Sequence, residues 1–393
     1  MILIIISLIL SSGLILIGTN YTKLAFLFSI ICLSIVGLLF NPYLAQSNGV
    51  YTDLVRFFNE LQLIKNYSFN EVITSSVEPF KTLYPGLLVN NVIMFLVAKT
   101  TNLHLLPFLS VLVFYSLLYI QIYSECKKFK LNKYKILLIL WLVYALINVT
   151  NPMCNIRNPI ASLVGAILLY NNLVNDSSLL LTSIGYIIIF FIHPSSIIFP
   201  IINLVVKISN KWTKYVLAAS IFGFSIFSYQ ISSVLLNEIP GGSILFGVIS
   251  RLNAYSGGQA DLINYGTTFQ KIMVWLTAIL AIYVLYLFNK KTSSKFAKFN
   301  NACVLFITIF LASSVFSVHV FFRFGFILSI FTLIMLPNVL KNSSENLIND
   351  GNVMSTRISL SYFSLYILMG VTIVMNLGWY FGTLAYRSIN LGG

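Results

Sequence analysis

Charged residues are scarce in this chain: only 9% of its 393 residues are Asp, Glu, Lys or Arg. A soluble protein carries about 25% charged residues, so this scarcity excludes a soluble enzyme. Histidine and cysteine are also few, at three and four residues. No two cysteines form a C-x-x-C pair, and none is spaced with a histidine as in a metal site. The sequence therefore predicts neither a disulfide framework nor a zinc site.

Apolar residues, in contrast, are abundant, at 58% of the chain with 32 Phe and 22 Tyr. This composition excludes intrinsic disorder. At about 20 residues per crossing, the sequence predicts an all-α polytopic integral membrane protein with about 11–13 transmembrane helices in a single multi-pass domain, residues 1–393. The apolar segments are 2–18, 24–40, 83–98, 103–123, 136–150, 159–174, 179–193, 195–206, 214–236, 271–288, 299–318, 322–340 and 359–381.

The net charge of +14 comes largely from lysines between the apolar segments. They cluster at Lys127–Lys135, Lys207–Lys214 and Lys290–Lys298. This is the pattern of cytoplasmic loops, so we interpret the charge as orienting the helices and predict no nucleic-acid partner. The same orientation makes the two longer loops, 41–82 and 237–270, extracellular. The apolar N-terminus has no basic n-region and no A-x-A site, and we expect a retained helix there.

Arginine follows the opposite distribution, because five of the six arginines map to the predicted outer side and only Arg357 maps inside. A guanidinium binds phosphate and carboxylate with two parallel hydrogen bonds, which an ammonium does poorly. The outer arginines are therefore candidates for binding an anionic substrate. The alternative is that they extend to lipid head groups.

Four candidate positions lie in the first two-thirds of the chain. If residues 50–58 are helical, Asp53 and Arg56 are neighbours on one face, and Asp53 is available as a general base. An ordinary surface ion pair is the alternative. Glu78-Pro79 is expected to open the next helix. Arg157 lies at the outer mouth of a span, where a helix N-terminus also favours anions. His193 lies at an outer tip between two short helices, before a proline.

Two further candidate regions follow. The loop 237–270 contains paired glycines around Arg251 and Tyr255, a composition that fits either a mobile lid or a plain solvated loop. Arg323 lies in the aromatic run Phe321–Phe326 at the outer start of a span. A charge at such a place is costly without a partner.

The order of these motifs resembles that of the EpsG family of bacterial polysaccharide polymerases, a Wzy-like group. The motifs are Tyr51–Phe58, Glu78-Pro79, Ile156–Asn158, Phe191–Pro194 and Arg323, over residues 40–330. The family often has Tyr after the first Arg, where this chain has Phe57. The resemblance implies a membrane glycosyltransferase that joins undecaprenyl-pyrophosphate-linked oligosaccharide repeat units in capsule or exopolysaccharide biosynthesis. It implies a bacterial plasma-membrane protein with an extracellular active site, and it is compatible with a glycosyltransferase-C-like architecture.

The site hypothesis assigns each candidate a role. Asp53 is the first choice for the general base and His193 the second. The expected substrate-binding residues are Arg56, which orients Asp53, and Glu78, Arg157, Arg251, Tyr255 and Arg323. No metal-ligand cluster is present in the sequence, so we expect no cofactor, with the arginines stabilising the departing pyrophosphate. The expected partners are the lipid-linked oligosaccharides, the lipid bilayer and other polysaccharide-assembly proteins.

Two alternatives stay open at this point. A flippase for lipid-linked oligosaccharides would use the same arginines, but it should show internal repeats and polar residues near the membrane midplane. The sequence has no detectable repeat, and its ionisable residues concentrate at the predicted outer face. An O-antigen-ligase-like or acyl-transferring enzyme would share the outer site and differ only in its acceptor.

Overall fold

The structure is a computed structural model of the chain, and it describes residues 2–43, 53–80, 86–100, 102–208, 216, 219–220, 233–235, 237–238, 268–290, 294–345 and 353–389. Within these ranges the secondary structure is helical, with no strand. The chain divides into two compact units, residues 1–200 with 333–393 (unit 1) and residues 201–332 (unit 2). The expected single domain stays a prediction.

The α-helices follow the apolar segments closely. Their bounds are α1 Ile2–Ile17, α2 Thr22–Leu39, α3 Asp53–Ile64, α4 Phe69–Ile73, α5 Leu88–Lys99, α6 Leu105–Lys128, α7 Lys133–Leu146, α8 Thr150–Asn155, α9 Arg157–Val174, α10 Leu179–Ile192, α11 Ile198–Ile208, α12 Thr268–Lys290, α13 Ser294–Phe316, α14 Val318–Glu345 and α15 Val353–Ile389. Twelve of the thirteen predicted segments overlap one of these helices. Segment 214–236 lies mostly outside the described residues.

Six helical segments in the described part of the chain are long and apolar enough to cross a membrane. They are Thr19–Leu39, Leu105–Lys128, Thr268–Asn289, Phe296–Ser314, Val320–Lys341 and Ser361–Tyr380. Four shorter apolar helical segments accompany them, at Ile2–Ile17, Leu88–Lys99, Leu179–Ile192 and Pro194–Ile208. The prediction of an all-α polytopic membrane protein is confirmed. The count of about 11–13 spans stays a prediction.

Helix α5 is too short to cross a membrane by itself. Its 12 residues extend about 18 Å, compared with a hydrocarbon core of about 30 Å. The segment 83–98, which the sequence left open between a span and a re-entrant or interfacial helix, is therefore not a full span. Helices α10 and α11 are separate, since a 3-10 turn at Pro194–Ile197 divides them.

The helices of unit 1 run in alternating directions, so unit 1 has two distinct ends. Lys133 at the start of α7 donates from Nζ to the Leu16 carbonyl at the end of α1, at 3.0 Å. Lys128 at the end of α6 donates to Asn175 Oδ1 just beyond α9, at 2.8 Å. We call this end, which carries Lys127–Lys135, the lysine end. Helix α3 packs on α5 and α8 near the opposite end of α6, which we call the α3 end.

The helices of unit 1 meet through small and hydroxyl-bearing residues. Ser7 Oγ of α1 and Tyr144 OH of α7 are 2.5 Å apart, and Tyr115 OH of α6 donates to the Ile147 carbonyl at 2.9 Å. A Cβ added to Gly37 of α2 would lie 2.9 Å from the Pro107 carbonyl oxygen. Close backbone approach and hydrogen bonds between helices are typical of packing in a membrane, where lipid supplies no hydrophobic drive for association.

The described part of unit 2 contains most of α11, together with α12, α13 and the first part of α14, and aromatic rings pack between the last three of these helices. Phe310 stacks on Phe321 with ring centroids 4.9 Å apart, and Trp275 contacts both rings. Gly325 faces Val274 so closely that an added Cβ would lie 2.5 Å from the Val274 Cγ1. These contacts set the surroundings of Arg323.

Candidate functional site

Helix α3 forms because its apolar residues recur at helical spacing. Leu54, Phe57, Phe58 and Leu61 are buried, at positions i, i+3, i+4 and i+7 of one face. They belong to an apolar cluster that also takes in residues of α5 and the first turn of α6. The His104 ring packs edge-on to Phe58 with ring centroids 5.2 Å apart. The apolar face fixes α3 at the α3 end of unit 1, and the opposite face carries its polar residues.

Two carboxylates share one guanidinium on α3. Arg56 Nη2 lies 3.6 Å from Asp53 Oδ1, and Arg56 Nε lies 3.5 Å from Glu60 Oε1. The Asp53 and Arg56 side chains are 45% and 47% exposed, whereas Glu60 is 6% exposed. The predicted i,i+3 neighbourhood of Asp53 and Arg56 is therefore present. An ion pair this exposed adds only about 0–1 kcal/mol to stability.

Phe57 connects α3 to a distant part of the chain. The Phe57 ring is buried. The Cζ of Arg56 lies 5.2 Å from the centroid of this ring, and the Cζ of Arg157 lies 5.4 Å from the same centroid. Each distance is within the range of a cation–π contact. The fold thus brings Asp53, Arg56 and Arg157 together around one aromatic ring, although Arg157 is a hundred residues further along the chain.

Arg157 occupies the first position of α9, after a strained link. Ile156, between α8 and α9, has φ 41° and ψ −75°, in a region that β-branched residues rarely adopt. Its side chain is buried in the apolar cluster beneath α3. Strained backbone of this kind is concentrated at functional sites. The link sets Arg157 at a helix N-terminus, where the peptide dipoles also favour a bound anion.

Cys154 lies close to Asp53 but is protected from reaction. Burial, together with the negative charge of Asp53, raises the pKa of the Cys154 thiol to about 12. The group therefore stays a neutral thiol at physiological pH, whereas nucleophilic cysteines have a lowered pKa. Cys154 is therefore not a candidate nucleophile, and the candidate groups around Asp53 are the carboxylates and the arginines.

His193 lies at the end of α10 and caps the next turn. Its Nδ1 accepts from the Ser195 backbone N–H at 3.3 Å and lies 2.6 Å from Ser195 Oγ. Helix α10 packs antiparallel to α9, so His193 lies toward the same end of unit 1 as Arg157. The predicted Pro-broken apex is present, and one ring nitrogen of His193 is engaged locally.

The expectation for Glu78 is wrong in its structural part. Glu78 is exposed in a turn that includes Pro79 and Phe80, Phe80 is buried in the apolar cluster, and the next helix in the described residues is Leu88–Lys99. Glu78-Pro79 therefore does not open a helix. The carboxylate that caps a helix is Glu71, which forms a capping box with Ser68. The hydrogen bond from the Ser68 backbone N–H lowers the pKa of Glu71.

The remaining predicted residues lie elsewhere. Arg323 is half-buried in the second turn of α14 in unit 2, among the aromatic residues that the sequence indicated. Arg251 and Tyr255, and most of the predicted lid loop 237–270, lie outside the described residues.

Glu60, beside Arg56, and the capping residues Ser68 and Glu71 were not predicted from the sequence. Glu60 follows Arg56 by four residues, so helical spacing alone predicts the contact once α3 is assigned. The capping box of Ser68 and Glu71 also has a readable signature, S-x-x-E. The contact of Arg157 with Phe57 has no such signal, because it depends on tertiary packing.

The arrangement combines a half-exposed carboxylate with two guanidinium groups held on a buried ring. A carboxylate in this setting can accept a proton from a hydroxyl group. Guanidinium groups can bind a phosphate with two hydrogen bonds each. No protein-family model, curated protein or solved structure matches the chain.

Proposed function

We propose that this chain is a polysaccharide polymerase that joins undecaprenyl-pyrophosphate-linked oligosaccharide repeat units at the α3 end, on the extracellular face of a bacterial plasma membrane. The observation that supports the proposal most is the convergence of Asp53, Arg56 and Arg157 around Phe57. The resemblance of the motif order to the EpsG family supplies the substrate class.

In the proposed reaction, a hydroxyl of one repeat unit attacks the anomeric carbon of the lipid-linked chain. The bond from that carbon to the pyrophosphate oxygen breaks, and undecaprenyl pyrophosphate leaves. Asp53 takes the proton of the attacking hydroxyl. Such general-base catalysis typically contributes about 10²–10⁴-fold.

The leaving group requires fixed positive charge, and Arg157 is placed to supply it. It begins α9, so its guanidinium and the helix N-terminus act on the same anion. Arg56 holds Asp53 in position and is itself held by the buried Glu60 at 3.5 Å. In the proposal, His193, Glu78 and Arg323 contact the substrate. Arg251 and Tyr255 are also assigned substrate contacts, and this assignment depends on the family resemblance alone.

Deletion of the gene, followed by sizing of surface polysaccharide and of lipid-linked intermediates, tests the proposal. A polymerase deletion leaves single repeat units on lipid at the outer face and no long chains. A flippase deletion leaves an undecorated surface with intermediates trapped inside. A ligase-like enzyme leaves long chains on lipid that are not transferred. Only the first outcome supports the polymerase.

A further inference from the structure

A groove lies on unit 1 between α7 and α15, at the lysine end and thus away from the site around Asp53. Leu137, Leu138 and Trp141 line it from α7, and Tyr366 and Ile373 line it from α15. Its volume is ≈ 540 Å³, within the range of about 300–1,000 Å³ that is typical of ligand sites. The walls are mostly apolar, so they suit a hydrocarbon chain.

The groove opens beside a cluster of positive charge. Lys341 belongs to this cluster, because its Nζ lies over the Phe129 ring at 6.0 Å, where Lys128 also lies at 5.3 Å. The lysines in the described part of this end of unit 1 are Lys23, Lys127, Lys128, Lys130, Lys133, Lys135 and Lys341.

The acidic residues at the lysine end compensate this charge only in part. Glu125 is buried, accepts from Tyr170 OH at 2.9 Å and lies 3.7 Å from Lys128 Nζ. Asp176 is exposed in the turn between α9 and α10. Glu345, four residues after Lys341 at the end of α14, adds a third carboxylate to this end of the chain. Three carboxylates against seven lysines leave the described part of this end positively charged.

Hydrogen bonds fix the mouth of the groove. Lys135, which lines the mouth, is buried and donates from Nζ to the Leu340 carbonyl. Lys133 donates to the Leu16 carbonyl at 3.0 Å, and its Nζ lies over the Tyr134 ring at 5.5 Å. Trp141 donates to Ser12 Oγ at 3.1 Å further along the groove. Cationic and aromatic side chains therefore lie at one end of the groove, and apolar side chains line the rest of it. This arrangement matches the head group and the acyl chain of a lipid.

We propose that this groove binds an anionic phospholipid, with one acyl chain between α7 and α15 and the phosphate beside Lys130 and Lys133. Charge complementarity selects an anionic head group over a zwitterionic one. Basic pockets between transmembrane helices are known to bind anionic lipid head groups in this way. The site is separate from the residues around Phe57 and does not depend on the polymerase proposal.

Native mass spectrometry of the full purified chain tests the site. Phosphatidylglycerol and phosphatidylcholine with identical acyl chains are added separately, and bound lipid is counted at each concentration. The wild-type chain should bind phosphatidylglycerol at least about fivefold more tightly, the effect of one lysine near an anionic lipid. Equal binding of the two lipids would overturn the proposal.

Two variants locate the binding to the groove. The double variant Lys130→Gln, Lys133→Gln should weaken phosphatidylglycerol binding by about fivefold per lysine and leave phosphatidylcholine binding unchanged. Glutamine at 133 keeps a donor for the Leu16 carbonyl, so the helix contact is preserved. The variant Leu137→Trp fills the groove and should weaken binding of phosphatidylglycerol. Unchanged phosphatidylglycerol binding in both variants would place the lipid elsewhere.

Lys99→Gln is the matched control. Lys99 makes the same kinds of contact as Lys133, with Nζ bonds to the Lys65 and Tyr67 carbonyls at 2.8 and 3.0 Å and a ring contact to Phe95 at 5.1 Å. It lies at the α3 end, so its replacement should leave lipid binding unchanged. An equal loss in Lys99→Gln would mean a general charge effect and overturn the site. Glycerol 3-phosphate should not displace the lipid, and displacement by it would overturn the role of the acyl chain.

Discussion

Replacing Asp53 by asparagine distinguishes a catalytic base from a surface ion pair, because the two roles predict effects of different size. Asp53 and Arg56 are 3.6 Å apart and about half exposed. Loss of such a pair costs about 0–1 kcal/mol of stability, which changes the ratio of folded to unfolded protein by at most about fivefold. An ion-pair role therefore predicts at most a similar loss of activity. Loss of a general base costs about 10²–10⁴-fold in rate. The two ranges do not overlap.

The assay is chain elongation by purified, reconstituted protein supplied with lipid-linked single units. Asp53→Asn should reduce polymer to trace amounts while single units accumulate. Glu60→Gln is the control, since it removes the other carboxylate beside the same guanidinium, at 3.5 Å. It should keep activity within about tenfold, and its cost should fall mainly on stability, because Glu60 is buried whereas Asp53 is half exposed.

A rate above about a tenth of wild type in Asp53→Asn would refute the base assignment, because it lies outside the range for general-base loss. Asp53 would then be only a partner of Arg56, and the role would pass to His193 or Glu78. The rate is taken per amount of folded protein. A loss of activity that only follows a loss of protein would equally refute a catalytic role.

Three further predictions concern Arg157, the membrane orientation and helix packing. Arg157→Lys should lower polymerisation by about 10–100-fold at normal protein level, since lysine keeps the charge but not the planar fork, and full activity would remove the pyrophosphate role. The orientation is tested by cysteine labelling in a background without the four native cysteines, which are all buried. A cysteine that replaces the exposed Ser76 should react with a membrane-impermeant maleimide added outside the cell, whereas one that replaces the exposed Lys127 should not. The reverse result would invert the orientation. Gly37→Ala should lower the free energy of unfolding in detergent by about 1–3 kcal/mol, because the new Cβ would lie 2.9 Å from the Pro107 backbone oxygen. Gly13→Ala is the control and should not destabilise the protein, because its new Cβ would have nothing within 4 Å.

The helices were predictable from the sequence because hydropathy follows burial in lipid. Residues 159–174 were predicted and α9 is observed at Arg157–Val174, and the break before Pro194 was placed correctly. The boundary at α5 was less clear, because polar Asn90 and Asn91 lie in its apolar run and both are buried. Hydropathy alone does not separate a short buried helix from a span.

The candidate site was predictable only where its contacts are local. Asp53 and Arg56 are three residues apart, so helical geometry gives their contact directly. Arg157 was selected by its place at a helix start, but its contact with Phe57 arises because α3 packs against α8, the helix that precedes Arg157. The Glu78 expectation failed because a proline after a glutamate is equally compatible with a turn.

The apolar cluster beneath α3 also determines an order of assembly during synthesis. Its buried members lie between Leu54 and Leu106, except Ile156. Contacts this close along the chain close with little loss of loop entropy, and N-terminal segments leave the ribosome first. The cluster therefore forms once α6 has emerged, with Phe57 already in place. Ile156 and Arg157 then dock onto this cluster, so the second guanidinium joins the Phe57 ring only after the cluster has formed.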